Sequence, residues 1–383
     1  MPGGAALLAA PEMGGRLSTA VDGELVSWRV RSLDQRRDGA TASYLAWVRD
    51  GAGQRAVHLG ATSRPVAGVA PPTGVHVWRW PHDPELPGLA AACRPSRVAA
   101  LIGSAAAPPV LRVVTYRPGR RAVVEASSAG RRWFLKVLPP SSAAAVEVRH
   151  AVLAGCGLPV ARVDARTDDG RLLLPALPGT PARARLRGGG AAPGGRELLA
   201  LLELLPPPLL ELPARASWSD GAEHYAAAAA RALRSAGRRD DAVRAERLAA
   251  KVTALLAGAP PGEDPVHGDL HEGQLLLDDA GRVSGVLDVD RAGRGRRADD
   301  LACLLAHLDV LALLPGWPAA SVRGRRAEWH TAFAAAVDGE ELAARTAGVL
   351  LSLATGPYRV QQRDWAAHTA DRLAAAEAAL ALR

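Results

Sequence analysis

Asparagine is absent from the 383 residues, isoleucine occurs once, at Ile102, and lysine twice, at Lys136 and Lys251. Arginine therefore supplies 45 of the 47 basic residues. With Ala, Gly and Pro abundant, this is the signature of a coding sequence drifted toward G and C, so the net charge of +8 is largely compositional bias. Aromatic residues are 4% of the chain, and arginine pairs such as Arg120-Arg121, Arg238-Arg239 and Arg325-Arg326 are scattered. No basic stripe interleaved with aromatics results, which argues against a nucleic-acid partner. The three cysteines, Cys93, Cys156 and Cys303, lie far apart without a CxxC spacing. They suggest neither a zinc site nor a disulfide framework and are expected as buried thiols. Long apolar runs are also missing: Leu301 to Leu314 is the longest and carries His307 and Asp309. A membrane span needs ~20 clean apolar residues, so this run predicts a buried helix and no membrane partner. The N-terminus lacks a basic region, and Ala5 to Ala10 is too short for a secretory core. The cytoplasm is the expected compartment.

What is present is ordinary globular material, 48% hydrophobic and 22% charged, enough for two or three domains. The first hundred residues alternate like strands, at Leu25 to Val30, Ser43 to Val48, Ala56 to Leu59 and Val75 to Trp80, with a turn at Asp50-Gly51. A second set, Leu111 to Tyr116, Ala122 to Ala126 and Trp133 to Val137, predicts a three-stranded antiparallel meander joined through Pro118-Gly119 and Ser128-Ala129-Gly130. A helix is expected over Ser141 to Ala154, ending at Gly155, and a buried strand at Leu172 to Leu174. After the glycine-rich 188–195 the texture is helical, except for Val266 to Leu287, where short apolar strands flank a polar loop.

That loop reads His267-Gly268-Asp269-Leu270-His271-Glu272-Gly273-Gln274, and Asp288 follows within Val286-Leu287-Asp288-Val289-Asp290. A hydroxyl attacking a γ-phosphoryl group needs a base for its proton, and Mg²⁺ needs oxygen ligands beside the phosphates. Asp269 suits the base; Asp288 and the side-chain oxygen of Gln274 suit the metal. His267 is expected to orient the loop, while His271 and Glu272 are expected as solvated loop residues.

Here the sequence resembles the aminoglycoside phosphotransferase family of small-molecule kinases, whose catalytic loop reads His-Gly-Asp, four residues, Asn. The family's metal segment reads Gly-x-Ile-Asp and runs on toward Asp-Leu-Ala, which is met by Gly285-Val286-Leu287-Asp288 and Asp300-Leu301-Ala302. Gln274 stands in the usual Asn position, as in the related bacterial maltokinases, which also carry a β-rich N-terminal cap. By this resemblance Asp300 anchors the catalytic loop. A kinase-like chain also needs a strand lysine facing the phosphates and a helix glutamate to pair with it, which Lys136 and Glu147 satisfy. Gly119 lies in the position of the phosphate-covering loop, though among three arginines rather than other glycines. Leu174 and Ala176 lie where the family's hinge meets adenine through the main chain.

The resemblance implies an α+β, two-lobed protein-kinase-like fold: a β-rich cap over 1–100, an N-lobe over 101–179, and a helical C-lobe over 180–383. It implies ATP and Mg²⁺ as cofactors and a small-molecule hydroxyl as acceptor; the oligomeric state stays open. Aminoglycosides are polycations, yet residues 180–262 hold 12 basic and 8 acidic groups, and 303–383 hold 8 of each. The lack of an acidic excess favours a neutral, sugar-like or polyhydroxy acceptor. An aminoglycoside antibiotic phosphotransferase and a catalytically silent nucleotide-binding protein are the alternatives.

Overall fold

A computed structural model of the chain describes residues 4–36, 38–66, 74–103, 107–213 and 216–382. The fold divides into two units. The first spans Met1–Glu147, Arg162–Ala176 and Arg359–Gln362, and the second spans Val148–Ala161, Leu177–Tyr358 and Arg363–Arg383.

The first unit opens with two short helices, α1 (Gly4–Ala9) and α2 (Met13–Ser18), followed by strands β1 (Glu24–Arg36), β2 (Gly39–Asp50), β3 (Gly53–Thr62) and β4 (His76–Arg79). The four strands pair antiparallel in sequence order. Period-two burial explains the pairing: Ala42, Tyr44, Ala46 and Val48 of β2 are all buried while Leu45 and Trp47 between them are only half-buried. Tyr44 Oη donates to Leu8 O at 2.7 Å and so ties α1 to the sheet. Gly60 is dictated by Trp78, whose ring lies 2.3 Å from where a Cβ would stand.

Two more helices, α3 (Leu89–Ala92) and α4 (Pro95–Ile102), lead into β5 (Val110–Arg117), β6 (Arg121–Ser128) and β7 (Arg131–Val137), the expected meander. Helix α5 (Pro140–Gly155) follows, with Pro140 at its start, where a missing N–H is tolerated. Strands β8 (Ala165–Arg166) and β9 (Arg171–Pro175) complete a five-stranded antiparallel sheet of order β5-β6-β7-β9-β8. Its core joins Val124 and Ala126 to Leu135, Val137 and Leu173, and to Leu89 and Val98 of α3 and α4.

The second unit contains α6 (Ala182–Arg187), α7 (Gly195–Glu203), α8 (Ala222–Ser235) and α9 (Arg239–Leu256), then a strand-rich insert, then α10 (Arg297–Leu313), α11 (Ala319–Ala334), α12 (Gly339–Ala354), α13 (Gly356–Arg359) and α14 (Trp365–Ala381). In the insert, β10 (Thr180–Pro181), β12 (Leu275–Leu277) and β13 (Val283–Val286) form one small sheet, and β11 (Asp264–Val266) and β14 (Gly293–Gly295) another. Helix α10 is buried on nearly every side, from Leu301 through Leu311, which is why its sequence is the most continuously apolar. No described helix is long and apolar enough to cross a membrane. The expectation of three buried thiols fails: Cys303 is buried, Cys93 half-buried and Cys156 exposed at the end of α5.

Candidate functional site

Strand β11 delivers the chain to His267, and from there a buried carboxylate organises the loop. Asp300, in the first turn of α10, accepts from His267 N at 2.7 Å through Oδ2, and from Gly268 N at 2.8 Å and Leu270 N at 3.4 Å through Oδ1. Burying a lone carboxylate costs several kcal/mol, and charge-assisted donors offset that cost. Burial nevertheless pushes the Asp300 carboxyl up to about 6, against the pull of His267 and the amides. His267 Nδ1 receives the Asp269 N–H at 3.3 Å, so its Nε2 carries the proton, donated to Leu287 O at 2.9 Å. One imidazole thus fastens the His267–Gln274 loop to the residue before Asp288. Gly268 has φ +79°, and a Cβ there would lie 2.8 Å from Arg291 O, so glycine is required.

Asp269 is half-buried, and its Oδ1 accepts the Trp218 indole N–H at 2.9 Å. Arg291 stacks on Trp218, 4.4 Å from the ring, and donates to Gly268 O at 3.0 Å. Burial raises the Asp269 carboxyl, Asp288 adds to the rise, and His271, His267 and Arg291 oppose it. Asp288 itself holds a left-handed backbone, φ 55° and ψ 46°, uncommon outside glycine. Leu287 N donates to Gln274 O at 2.8 Å, so the segments bearing the two expected metal ligands are joined through the main chain. The Gln274 side-chain amide lies 3.1 Å from His271 Nε2. Because His271 Nδ1 accepts from Gly273 N at 3.0 Å, its Nε2 carries the proton, and hydrogen-bond logic turns the amide oxygen toward it. That oxygen keeps a second lone pair. A carboxylate and an amide oxygen are donors of the hard kind that Mg²⁺ takes.

The expectation that His271 and Glu272 are solvated is overturned. Glu272 is fully buried and His271 has a side chain 14% exposed. The mostly apolar Leu270 and Leu275 on either side pull this stretch inward.

In the first unit, Lys136 sits on β7 opposite Val123 and Leu172, 6% exposed. Glu147 accepts from Arg166 Nε at 2.7 Å; to serve Lys136 as well, its carboxylate would have to be shared. Gly119 forms the β5–β6 turn with φ +64°, and its N–H goes to Asp83 Oδ2 at 2.8 Å. The same oxygen takes the Tyr116 hydroxyl at 2.8 Å, and Trp78 Nε1 donates to that hydroxyl at 3.0 Å. Residues 1–100 therefore hold the turn, a role no motif announces; Trp218, Arg291 and Asp83 all escape motif reading. Leu174 pairs with Phe134, and Ala176 N donates to Arg132 O at 3.0 Å.

A model of the phosphotransferase enzyme family matches residues 112–336. No curated protein matches the chain. Similar solved structures include an aminoglycoside-3'-phosphotransferase of type VIII, 26% identical over 65% of this chain and 95% of that one, with a TM-score of 0.43. An apo thermostable mutant of aminoglycoside phosphotransferase APH(4)-Ia is 14% identical over 74% and 98%, with a TM-score of 0.52. The same enzyme with ADP and hygromycin B is 15% identical over the same shares, with a TM-score of 0.51. The latter two share the fold, so the α+β kinase-like architecture, with an additional β-rich N-terminal part, stands.

Proposed function

The chain belongs to the phosphotransferase enzyme family, whose members move a phosphoryl group to an alcohol acceptor, and on that premise we propose that it transfers the γ-phosphoryl group of ATP to a hydroxyl of a neutral, polyhydroxy small molecule. The observation that carries this reading is the organisation around Asp269. Its backbone is fixed by Asp300 through the flanking amides, and its Oδ1 is oriented by Trp218. The second oxygen would then take the proton of an attacking hydroxyl. Burial and the neighbouring Asp288 raise its affinity for that proton. Asp288 and Gln274 would hold Mg²⁺, which neutralises charge on the phosphates. Lys136, a slim cation on a rigid strand, would meet the α- and β-phosphates, with Glu147 as its carboxylate partner. The turn at Gly119 would cover the phosphates through groups other than its Asp83-bound amide, and the main chain at Leu174 and the carbonyl of Ala176 would meet the base.

The lack of an acidic excess in 180–262 and 303–383 supports a neutral acceptor over a polycation. The relative bound to hygromycin B supplies the rival class for the test. ATP turnover measured with Mg²⁺ against neutral sugars, polyols and aminoglycosides should rise with the first two. Turnover with aminoglycosides alone would replace the acceptor class, and none with any acceptor would favour a silent nucleotide-binding protein.

A further inference from the structure

Beside the catalytic loop the second unit contains a group the phosphotransfer reading does not use. His271 and His307 stack with centroids 3.9 Å apart and planes 3° from parallel. Both Nδ1 atoms face Glu272 Oε2, at 3.7 and 3.9 Å. His307 comes from α10, and Glu272 from the turn that follows His271. The other oxygen of Glu272, Oε1, accepts from Arg183 Nε at 2.8 Å. Oε2 is buried without any hydrogen-bond partner among the described residues, a state that normally costs a carboxylate several kcal/mol.

The proton positions sharpen the anomaly. His271 Nδ1 accepts from Gly273 N at 3.0 Å, so it carries no hydrogen to offer Oε2, and a metal ion there would take the place of that backbone donor. Oε2 therefore faces two ring nitrogens without a hydrogen bond from either.

We propose that His271, Glu272 and His307 form a binding site for a divalent transition ion of the zinc class, distinct from the Mg²⁺ position at Asp288 and Gln274. The three ligand atoms already lie within 4.8 Å of one another. Two imidazoles and one carboxylate are a donor set that zinc takes, with a further position open to water, whereas Mg²⁺ prefers oxygens alone. Zinc–ligand bonds of about 2.0–2.1 Å put tetrahedral ligand atoms about 3.3 Å apart, so each imidazole must close by about half an ångström and tilt. Histidine χ2 is broad enough to allow this. The side chains of His271 and His307 are 14% and 16% exposed, which leaves a path from solvent. Arg183 on Oε1 would fix the carboxylate from behind, as outer partners of metal ligands do.

The test uses Zn²⁺ alone, added to the untagged full chain in nucleotide-free and Mg²⁺-free buffer. Calorimetry should show one equivalent bound, and the His271 and His307 ring signals in NMR should shift together. His307→Ala and Glu272→Gln should each weaken binding at least tenfold, while Asp288→Ala should bind as the wild type does. The NMR arm needs no variant to fold. Absence of binding, unchanged affinity in His307→Ala, ring signals that stay still, or loss of binding in Asp288→Ala would each overturn the site.

Discussion

Two loops in this molecule are held by the same device and end up with different uses. The catalytic loop hangs from Asp300, whose carboxylate takes three successive-region amides. The β5–β6 turn hangs from Asp83, which takes the Gly119 amide and the Tyr116 hydroxyl. Both anchors are buried, at 0% and 3% exposure, and burial raises both carboxyls. In the first case the grip consumes backbone and leaves the Asp269 side chain outside it. In the second it consumes the backbone amide that a glycine-rich loop would offer to phosphate, and what the turn presents is arginine. A rigid loop can therefore serve a ligand only through the groups its anchor leaves over.

The largest expected effect probes the group left over in the first loop. Asp269→Asn should lower turnover by roughly 10²- to 10⁴-fold, with nucleotide affinity near wild type; turnover that survives would remove the base from the scheme. Next, Asp288→Ala should abolish Mg²⁺-dependent turnover, whereas Gln274→Asn should be tolerated and Gln274→Ala should not. Steady-state kinetics across Mg²⁺ concentrations separate the three.

The anchors themselves give the third contrast. Asp300→Asn should cost both stability and turnover, and Asp83→Asn should raise KM for ATP while kcat changes little, because only the turn loosens. The pH dependence has a definite sign. The folded Asp300 carboxyl, at about 6, lies above its unfolded value of 3.8, so the native state binds the extra proton. Its contribution is fully present below pH 3.8 and is lost as pH rises through about 6, by up to about 3 kcal/mol. Chemical unfolding of wild type and Asp300→Asn between pH 4 and 7 should show the variant lacking this slope.

The smallest effect concerns Lys136 and Glu147. Lys136→Arg should reduce kcat/KM for ATP about tenfold, since a planar, bulkier cation replaces a slim one. Glu147 and Arg166 are each 38% exposed, so losing that bridge should cost under about 1 kcal/mol. If Glu147 also serves Lys136, the double-mutant losses will be far from additive; additive losses would assign it to Arg166 alone.

The same contrast explains what could be read from the chain alone. The longer strands of the four- and five-stranded sheets were visible because β2 and β6 alternate or carry β-branched runs against turn residues, and α10 because it is largely apolar, whereas the two-residue β8 was not. The helices α3 and α4 were not, since one is four residues long and the other, begun by Pro95, is only eight. At the site, Asp269, Asp288 and Asp300 sit in a contiguous pattern with chemical meaning. Asp83 and Trp218 act across 36 and 51 residues of chain, a distance over which spacing carries no signal. Glu272 looked solvated because a charged residue in a polar loop usually is; its burial follows from Arg183 and the two imidazoles, which only folding assembles.

The unequal fates of the three thiols have a practical side. Burial raises Cys93 to about 11 and Cys303 well above its ordinary value, and thiolate is the species that reacts. Cys156 is exposed, at the end of a helix whose other end follows the strand of Lys136. A maleimide dye should therefore label the native protein at one place without any engineered cysteine, giving a fluorescent reporter for nucleotide and acceptor titrations.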